Sequence, residues 1–257
     1  MKRNVLVVLG QLLTFIAFFA VWELAVRALN IKPVILPPPS AVFAKAWEQR
    51  DLLARHTWPT TVAIALGFLY AFAIGFLIAV GIAFSRTIRE ITYPFLVVAQ
   101  ILPKIAFAPL FLIWFGFGLT PKIVIAALIA FFPIVINTAK GLTSVDPEFM
   151  QYMDSLGATS RQKFMRISLP WALPDMFSAM KISITLAIVG AVVGEFIAAG
   201  EGLGYVINSA NISLDTELMF AGITVLSVLG VALFMVVVFA EWLSTRSAAL
   251  NVKPAGM

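Results

Sequence analysis

The 257-residue chain has no cysteine and a single histidine, His56. Without cysteine there is no disulfide framework and no thiolate metal site, and one histidine makes no metal cluster. Charge is also scarce: Asp, Glu, Lys and Arg make up 12% of the chain against 61% hydrophobic residues, whereas soluble domains carry about 25% charged residues. No P-loop, paired-carboxylate motif or metal-ligand spacing occurs, so catalysis is not expected here, and any nucleotide that drives the protein must bind another polypeptide. Gly200-Glu-Gly-Leu-Gly204 has the glycines of a phosphate loop, but no strand pattern precedes it and no Lys-Ser/Thr follows, so it reads as a loop near the outer surface. His56 stands at the start of an apolar segment and reads as an interfacial or hydrogen-bonded side chain.

What the chain has in abundance is apolar length. Segments near residues 4–29, 59–84, 91–117, 121–139, 174–199 and 218–243 are each long enough to cross a hydrocarbon core of about 30 Å as helices. They are continuously apolar, where the strands of a membrane barrel would alternate over about ten residues. The expected fold is an all-α integral membrane protein: one domain over residues 1–257, six transmembrane helices, both ends on the same side. The opening Met-Lys-Arg-Asn and the run Val5 to Val21 imitate a signal peptide. That run is long for one and lacks a small-x-small cleavage site, so an uncleaved first helix is expected. Lys2, Arg3, Arg86, Arg89, Lys140, Arg161, Lys163, Arg166, Lys181, Arg246 and Lys253 fall on one side of the six crossings. Arg27, Lys32, Lys45, Arg50, Arg55 and Lys122 fall on the other. The positive-inside bias then places both termini in the cytoplasm. The net charge of +5 is accounted for without nucleic acid.

Breaks in the apolar pattern are informative. Leu36-Pro-Pro-Pro-Ser40 is a stiff extended segment whose serine can cap a helix, and residues 40–54 read as an external interfacial helix. The third apolar region carries Pro94, Pro103 and Pro109 with Lys104 between the last two. A straight helix is not expected there, and broken backbone at membrane depth requires protein or a water-filled cavity beside it. Trp114-Phe-Gly-Phe-Gly118-Leu-Thr-Pro121 marks a reversal before the next crossing. Glu195 lies in an apolar stretch, where exposure to lipid would cost on the order of 2.5 to 3.5 kcal/mol, so it should face the interior, as a pathway residue or a hydrogen-bonded packing residue. Gly190 and Gly194 beside it allow a neighbouring helix to come close.

One polar island interrupts the apolar runs, Asp146 to Pro170. Asp146 is placed as an N-cap, Pro147 as the first helical residue, and Gly157 where a positive φ ends the helix. Phe149, Met150, Met153 and Leu156 share one side at helical spacing, opposite Glu148, Gln151, Asp154 and Ser155. An amphipathic helix outside the bilayer needs something to bury that side against.

The island resembles the cytoplasmic loop of binding-protein-dependent ABC importer permeases: Glu-Ala-Ala, three residues, Gly, nine residues, Ile-x-Leu-Pro. Gly157 is followed by nine residues and then Ile167-Ser168-Leu169-Pro170, while Gln151, Tyr152 and Met153 stand at the Glu-Ala-Ala positions. Leu36-Pro-Pro-Pro-Ser-Ala-Val42, Pro103-Lys-Ile-Ala-Phe-Ala-Pro-Leu110, Trp114-Phe-Gly-Phe-Gly-Leu119, Gly194-Glu195 and Gly202-Leu-Gly-Tyr205 are similar to the branch of sulfonate, taurine, nitrate, thiamine-pyrimidine-precursor and riboflavin permeases. The run Ala187 to Glu195 with Asn211 to Thr216 looks closest to its pyrimidine-precursor side.

The resemblance implies the type I importer architecture in a bacterial inner membrane, with two copies of this subunit, two cytoplasmic ATPase subunits and an external solute-binding protein. It implies no cofactor in this chain, ATP with magnesium being bound by the ATPase. Phe149, Met150, Gln151, Tyr152, Met153, Leu156, Gly157, Ile167, Leu169 and Pro170 would then form the ATPase-coupling element. Arg161, Lys163 and Arg166 would make peripheral contacts or anchor the loop as inside positive charge. Lys104 and Glu195 are the candidates for the translocation pathway. The solute would be a pyrimidine precursor or similar heterocycle, or a sulfonate- or nitrate-type anion. A self-sufficient channel or proton-coupled transporter carrying charge on Lys104 and Glu195 is the alternative from another class.

Overall fold

The computed structural model describes residues 2–198 and 200–251, and these are helices and turns with no strand among them. Lys253 lies outside the described residues, as do the side chains of Lys2, Arg3 and Arg86. Helix α1 (Lys2–Ala28) leads through the proline segment to α2 (Pro39–Glu48), and α3 (Arg50–Phe84) starts after the single residue Gln49. Next come α4 (Arg86–Ile101), a 3-10 turn (Lys104–Phe107), α5 (Ala108–Phe115) and α6 (Leu119–Thr143). The polar island forms α7 (Pro147–Ser155) and α8 (Ser160–Lys163), joined through a π turn (Phe164–Ser168) to α9 (Leu169–Ala198). The chain closes with α10 (Leu203–Ile212) and α11 (Thr216–Asn251).

Among the described residues, five helical stretches are long and apolar enough to cross a membrane. A sixth is added if α4 and the 3-10 turn with α5 count as one span bent by 82°. The bend follows from the prolines. Pro103 forces Leu102 into an extended conformation (φ −60, ψ 137), as the residue before proline prefers, and Pro109 is accommodated in the first turn of α5. Pro59, Pro94, Pro133 and Pro174 lie inside helices, where neighbouring segments in a membrane protein can serve the backbone groups they free.

The core is the three-helix packing of α3, α6 and α9, around Ala63, Ile64, Ala126, Ala130, Ile184, Ala187 and Ala191. Small residues set its spacing. A Cβ added to Gly190 would come within 2.6 Å of the Ala126 Cα, and one on Gly194 within 2.9 Å of the Lys122 Cα. The close approach expected at these two glycines is therefore backbone on backbone.

Three local readings are corrected. Residues 50–54 belong to α3, not to the interfacial helix, because the helical run resumes immediately after Gln49 (φ −97, ψ 20). Ser40 does not cap α2: it lies inside the helix, its N–H donates to Glu23 Oε2 at 3.0 Å, and its hydroxyl donates to Glu23 Oε1 at 2.8 Å. The carboxylate from α1 supplies the acceptor that a capping hydroxyl otherwise would, and this ties α2 to the first helix. The stretch 200–204 is a loop only as far as Gly202, because Leu203 and Gly204 already open α10.

Candidate functional site

The geometry of interest lies in three places: the α7–α8 element, the bend at Lys104, and the opposite end around Glu195.

The α7–α8 element is built from local signals. Asp146 accepts the Glu148 N–H at 2.8 Å and Pro147 occupies the first turn of α7, which satisfies one of the free amides at the helix start. At the other end Gly157 has φ +71, its N–H donates to the Asp154 carbonyl at 2.9 Å, and the Ala158 N–H donates to the Met153 carbonyl at 3.0 Å. These two bonds are a Schellman closure, which needs a left-handed residue at this position. Thr159 and Gln162 then form a reciprocal capping box that starts α8, and Lys163 reaches back to Asp154 at 2.6 Å. The turn between the two short helices is thus held at both ends.

The apolar arc of α7 divides in two. Phe149, Tyr152 and Leu156 are 50%, 59% and 63% exposed, whereas Met150 and Met153 are half-buried and Met150 lines a cleft with Phe84 and Phe164. At about 100° per residue, positions 149, 152 and 156 share one stripe and 150 and 153 the next, so the helix rests on its own chain by its methionines. Tyr152, which stands in for an alanine of the resembled motif, joins the exposed stripe, and Gln151 is exposed beside it. Trp171, 58% exposed, extends this apolar surface from α9. Ile167 is buried and Leu169 half-buried at the root of α9, and Pro170 is exposed.

At the bend, Lys104 is half-buried and its Nζ donates to the Gln100 carbonyl at 2.8 Å. In an uninterrupted helix that carbonyl would receive the amide of residue 104, so the side chain replaces a bond the break removed. The ammonium also lies 4.6 Å from the centroid of the Phe132 ring, a favourable cation–π placement. A cleft of about 450 Å³ opens here between α4, α6 and α9, with Gln100, Asn137 and Leu186 among its walls.

Glu195 is enclosed at 1% exposure. Its carboxylate accepts the Thr60 hydroxyl at 2.7 Å and the Gly204 N–H at 2.7 Å, while Thr60 Oγ1 accepts the Leu203 N–H at 2.8 Å. His56 Nδ1 accepts the Gly202 N–H at 2.9 Å, and its ring stacks on Tyr205. The first three amides of the α10 start are therefore all satisfied by α3 and α9 side chains. Lys122 completes the cluster. It is 0% exposed and donates to the Glu201 carbonyl at 2.9 Å. Thus Glu195 faces the interior and His56 is hydrogen-bonded. Thr60, Lys122 and Glu201 were not singled out as site residues by sequence reasoning, because nothing local marks them as partners of residues far along the chain. Among the described residues no group of three or more His, Asp or Glu side chains is placed to hold a metal ion.

At this same end Lys45 on α2 pairs with Asp215 at 3.1 Å, and the carboxylate holds the ammonium above the ordinary lysine range. Along α9 from this cluster, Lys181 pairs with Glu241 across α9 and α11 at 3.0 Å.

Comparison with known proteins gives a consistent set of likenesses. The family described as binding-protein-dependent transport system inner membrane component matches residues 71–247. The riboflavin transport system permease protein RibX of Chloroflexus aurantiacus is 37% identical, over 93% of this chain and 90% of its own length. The formylaminopyrimidine transport permease protein ThiX of Halalkalibacterium halodurans is 33% identical, over 85% and 88%. The taurine transport system permease protein TauC of Escherichia coli is 31% identical, over 89% and 85%. Among solved structures, a chain of the MetNI methionine ABC transporter in an inward-facing conformation aligns with TM-score 0.62 over 78% of this chain and 97% of its own. At 22% identity, that is a likeness of fold.

Proposed function

Because the chain belongs to the family of binding-protein-dependent transport system inner membrane components, we propose that two copies pair in the bacterial inner membrane and dock an ATPase through α7. The chain is a multi-pass permease component of a binding-protein-dependent ABC importer, a transport subunit rather than an enzyme. That class implies an ATPase that uses ATP and a binding protein that delivers the solute. Our reading puts both termini and α7 on the cytoplasmic side, and α2 with the start of α10 on the external side.

The observation that carries the reading is the stripe of Phe149, Tyr152 and Leu156, an exposed apolar face on a short polar-loop helix whose other apolar side chains already rest on the chain. An apolar stripe held in that way fits a groove on a partner. Gln151, Met153, Gly157, Ile167, Leu169 and Pro170 position the stripe, and Met150 seats it. Lys104 lines the pathway directly. Glu195 acts on it from behind, by holding the start of α10. The solute belongs to the range the relatives' names span, a pyrimidine precursor, a flavin or a sulfonate.

The test is Leu156→Asp in the co-expressed complex. Burying an unpaired charge in the docking groove should remove most ATPase co-purification and ATP-driven uptake while leaving the subunit in the membrane. Undiminished coupled uptake would refute the placement of the docking face.

A further inference from the structure

We propose that the cleft beneath α7, walled by the end of α3, the start of α4, the end of α6, and α8 with its π turn, binds the head of an anionic phospholipid of the cytoplasmic leaflet. The inference rests on the reading above that α7 lies on the cytoplasmic side.

The place of the cleft in the fold favours a lipid. Phe84 is the last residue of α3, one of the stretches long and apolar enough to span a membrane, so the cleft lies where a spanning helix ends. Phe84 stays 56% exposed although its ring centroid is 4.9 Å from that of Phe164. With Leu142 and Met150, the two rings give the cleft an apolar side that continues onto the exposed end of α3. A small soluble anion gains nothing from such a side. The first carbons of an acyl chain do, because apolar surface is removed from water on both partners.

The charged side chains of the cleft are all of one sign. Arg89 from the first turn of α4 and Lys163 from α8 line it, with Ser160 and Ser168 beside them. Among the described residues no carboxylate does. Lys163 holds Asp154 at 2.6 Å, and that carboxylate is 59% exposed and outside the walls, so the ammonium keeps N–H donors beyond the one it gives to Asp154. Arg89 is exposed, and among the described residues its guanidinium has no hydrogen-bond or ion-pair partner. Its planar fork of N–H groups matches phosphate oxygens, and basic pockets between transmembrane helices on the cytoplasmic side are suited to anionic heads. A choline head brings a cation of its own, with no lining carboxylate to receive it. The volume of about 400 Å³ holds a glycerophosphate head, and its chains would leave past Phe84. Pro147 and Met150 belong to the same wall, so the head would also brace the helix that carries the docking stripe.

The experiment titrates the permease–ATPase complex in neutral detergent with dioleoyl-phosphatidylglycerol or dioleoyl-phosphatidylcholine, and reads bound lipid by native mass spectrometry. Phosphatidylglycerol should bind more tightly than phosphatidylcholine by about fivefold or more, and Arg89→Gln should remove about that factor, the worth of one basic side chain at an anionic head. Arg246→Gln takes the same charge from an exposed place on α11, outside the cleft, and should change the affinity by less than about twofold. Both arginines are exposed, and unchanged thermal unfolding of the two variants excludes misfolding as the cause. Equal binding of the two lipids, or equal loss in the two variants, overturns the site. Displacement of phosphatidylglycerol by inorganic phosphate overturns the lipid as its occupant. Sidedness is read separately, since the chain has no cysteine of its own. Labelling of Ser155→Cys by an impermeant maleimide from outside spheroplasts would overturn the cytoplasmic placement of α7, and with it the leaflet, without altering the binding measured in detergent.

Discussion

Substituting Gly157 separates two explanations of why a glycine ends α7. A Cβ built on Gly157 meets nothing within 4 Å, so the chain itself leaves room for a side chain. The constraint inside this subunit is the backbone: φ is +71, and the two closing hydrogen bonds to Met153 and Asp154 exist only with that conformation. A β-branched residue there costs about 1–2 kcal/mol. If docking requires the closed turn, Gly157→Val should weaken ATPase affinity by roughly fivefold to thirtyfold, since 1.4 kcal/mol is a factor of ten. Gly157→Asn, which tolerates the left-handed region, should stay within about twofold. The transmembrane core does not touch the site, so expression and monodispersity should be unchanged for both. Titrating purified ATPase onto the permease in nanodiscs and reading affinity by fluorescence anisotropy measures the difference. Valine docking as tightly as glycine would refute the argument from backbone conformation. Equal loss for valine and asparagine would refute it too, and would mean that the groove on the ATPase, not the turn, demands a residue without a side chain.

Two further outcomes are expected. Gly190→Val should lower thermal stability of the subunit by about 1–3 kcal/mol or prevent folding, because its side chain must displace the Ala126 backbone, and detergent-based thermal unfolding checks it. Glu195→Ala should leave the buried Gly204 N–H without its acceptor, at a cost of about 1–3 kcal/mol, while Thr60 can still donate to the His56 carbonyl at 3.1 Å, and the 200–204 segment should show faster amide hydrogen exchange while α6 does not; unchanged exchange there would contradict the role given to Glu195.

What could be read from the sequence was what is written over a few neighbouring residues. Asp146, Pro147 and Gly157 specify one short helix through bonds that span two to five positions, and Pro103 with Pro109 specifies a break, so all of these are legible locally. The partners of Glu195 are not: Thr60 is 135 positions away, and only the packing of α9 on α3 and α6 brings them together. Lys122 counted among the bases of one aqueous side, yet it is fully buried, its ammonium satisfied by a carbonyl 79 positions on. The split of the α7 arc was hidden for a related reason. Periodicity gives the angular width of an apolar face but not which part of it the rest of the chain covers.

The π turn at Phe164–Ser168 has a mechanical consequence. It lets α8 run into α9 without a loop, so one helical stretch of 38 residues extends from Ser160 to Ile197. At 1.5 Å per residue that is roughly 57 Å, longer than the hydrocarbon core is thick. The stretch carries the root of the α7–α8 element at one end and Glu195, with the start of α10 attached to it, at the other. If α7 docks an ATPase as proposed, a push on α8 would be passed to the far end of the bundle along one continuous helical stretch rather than through a loop.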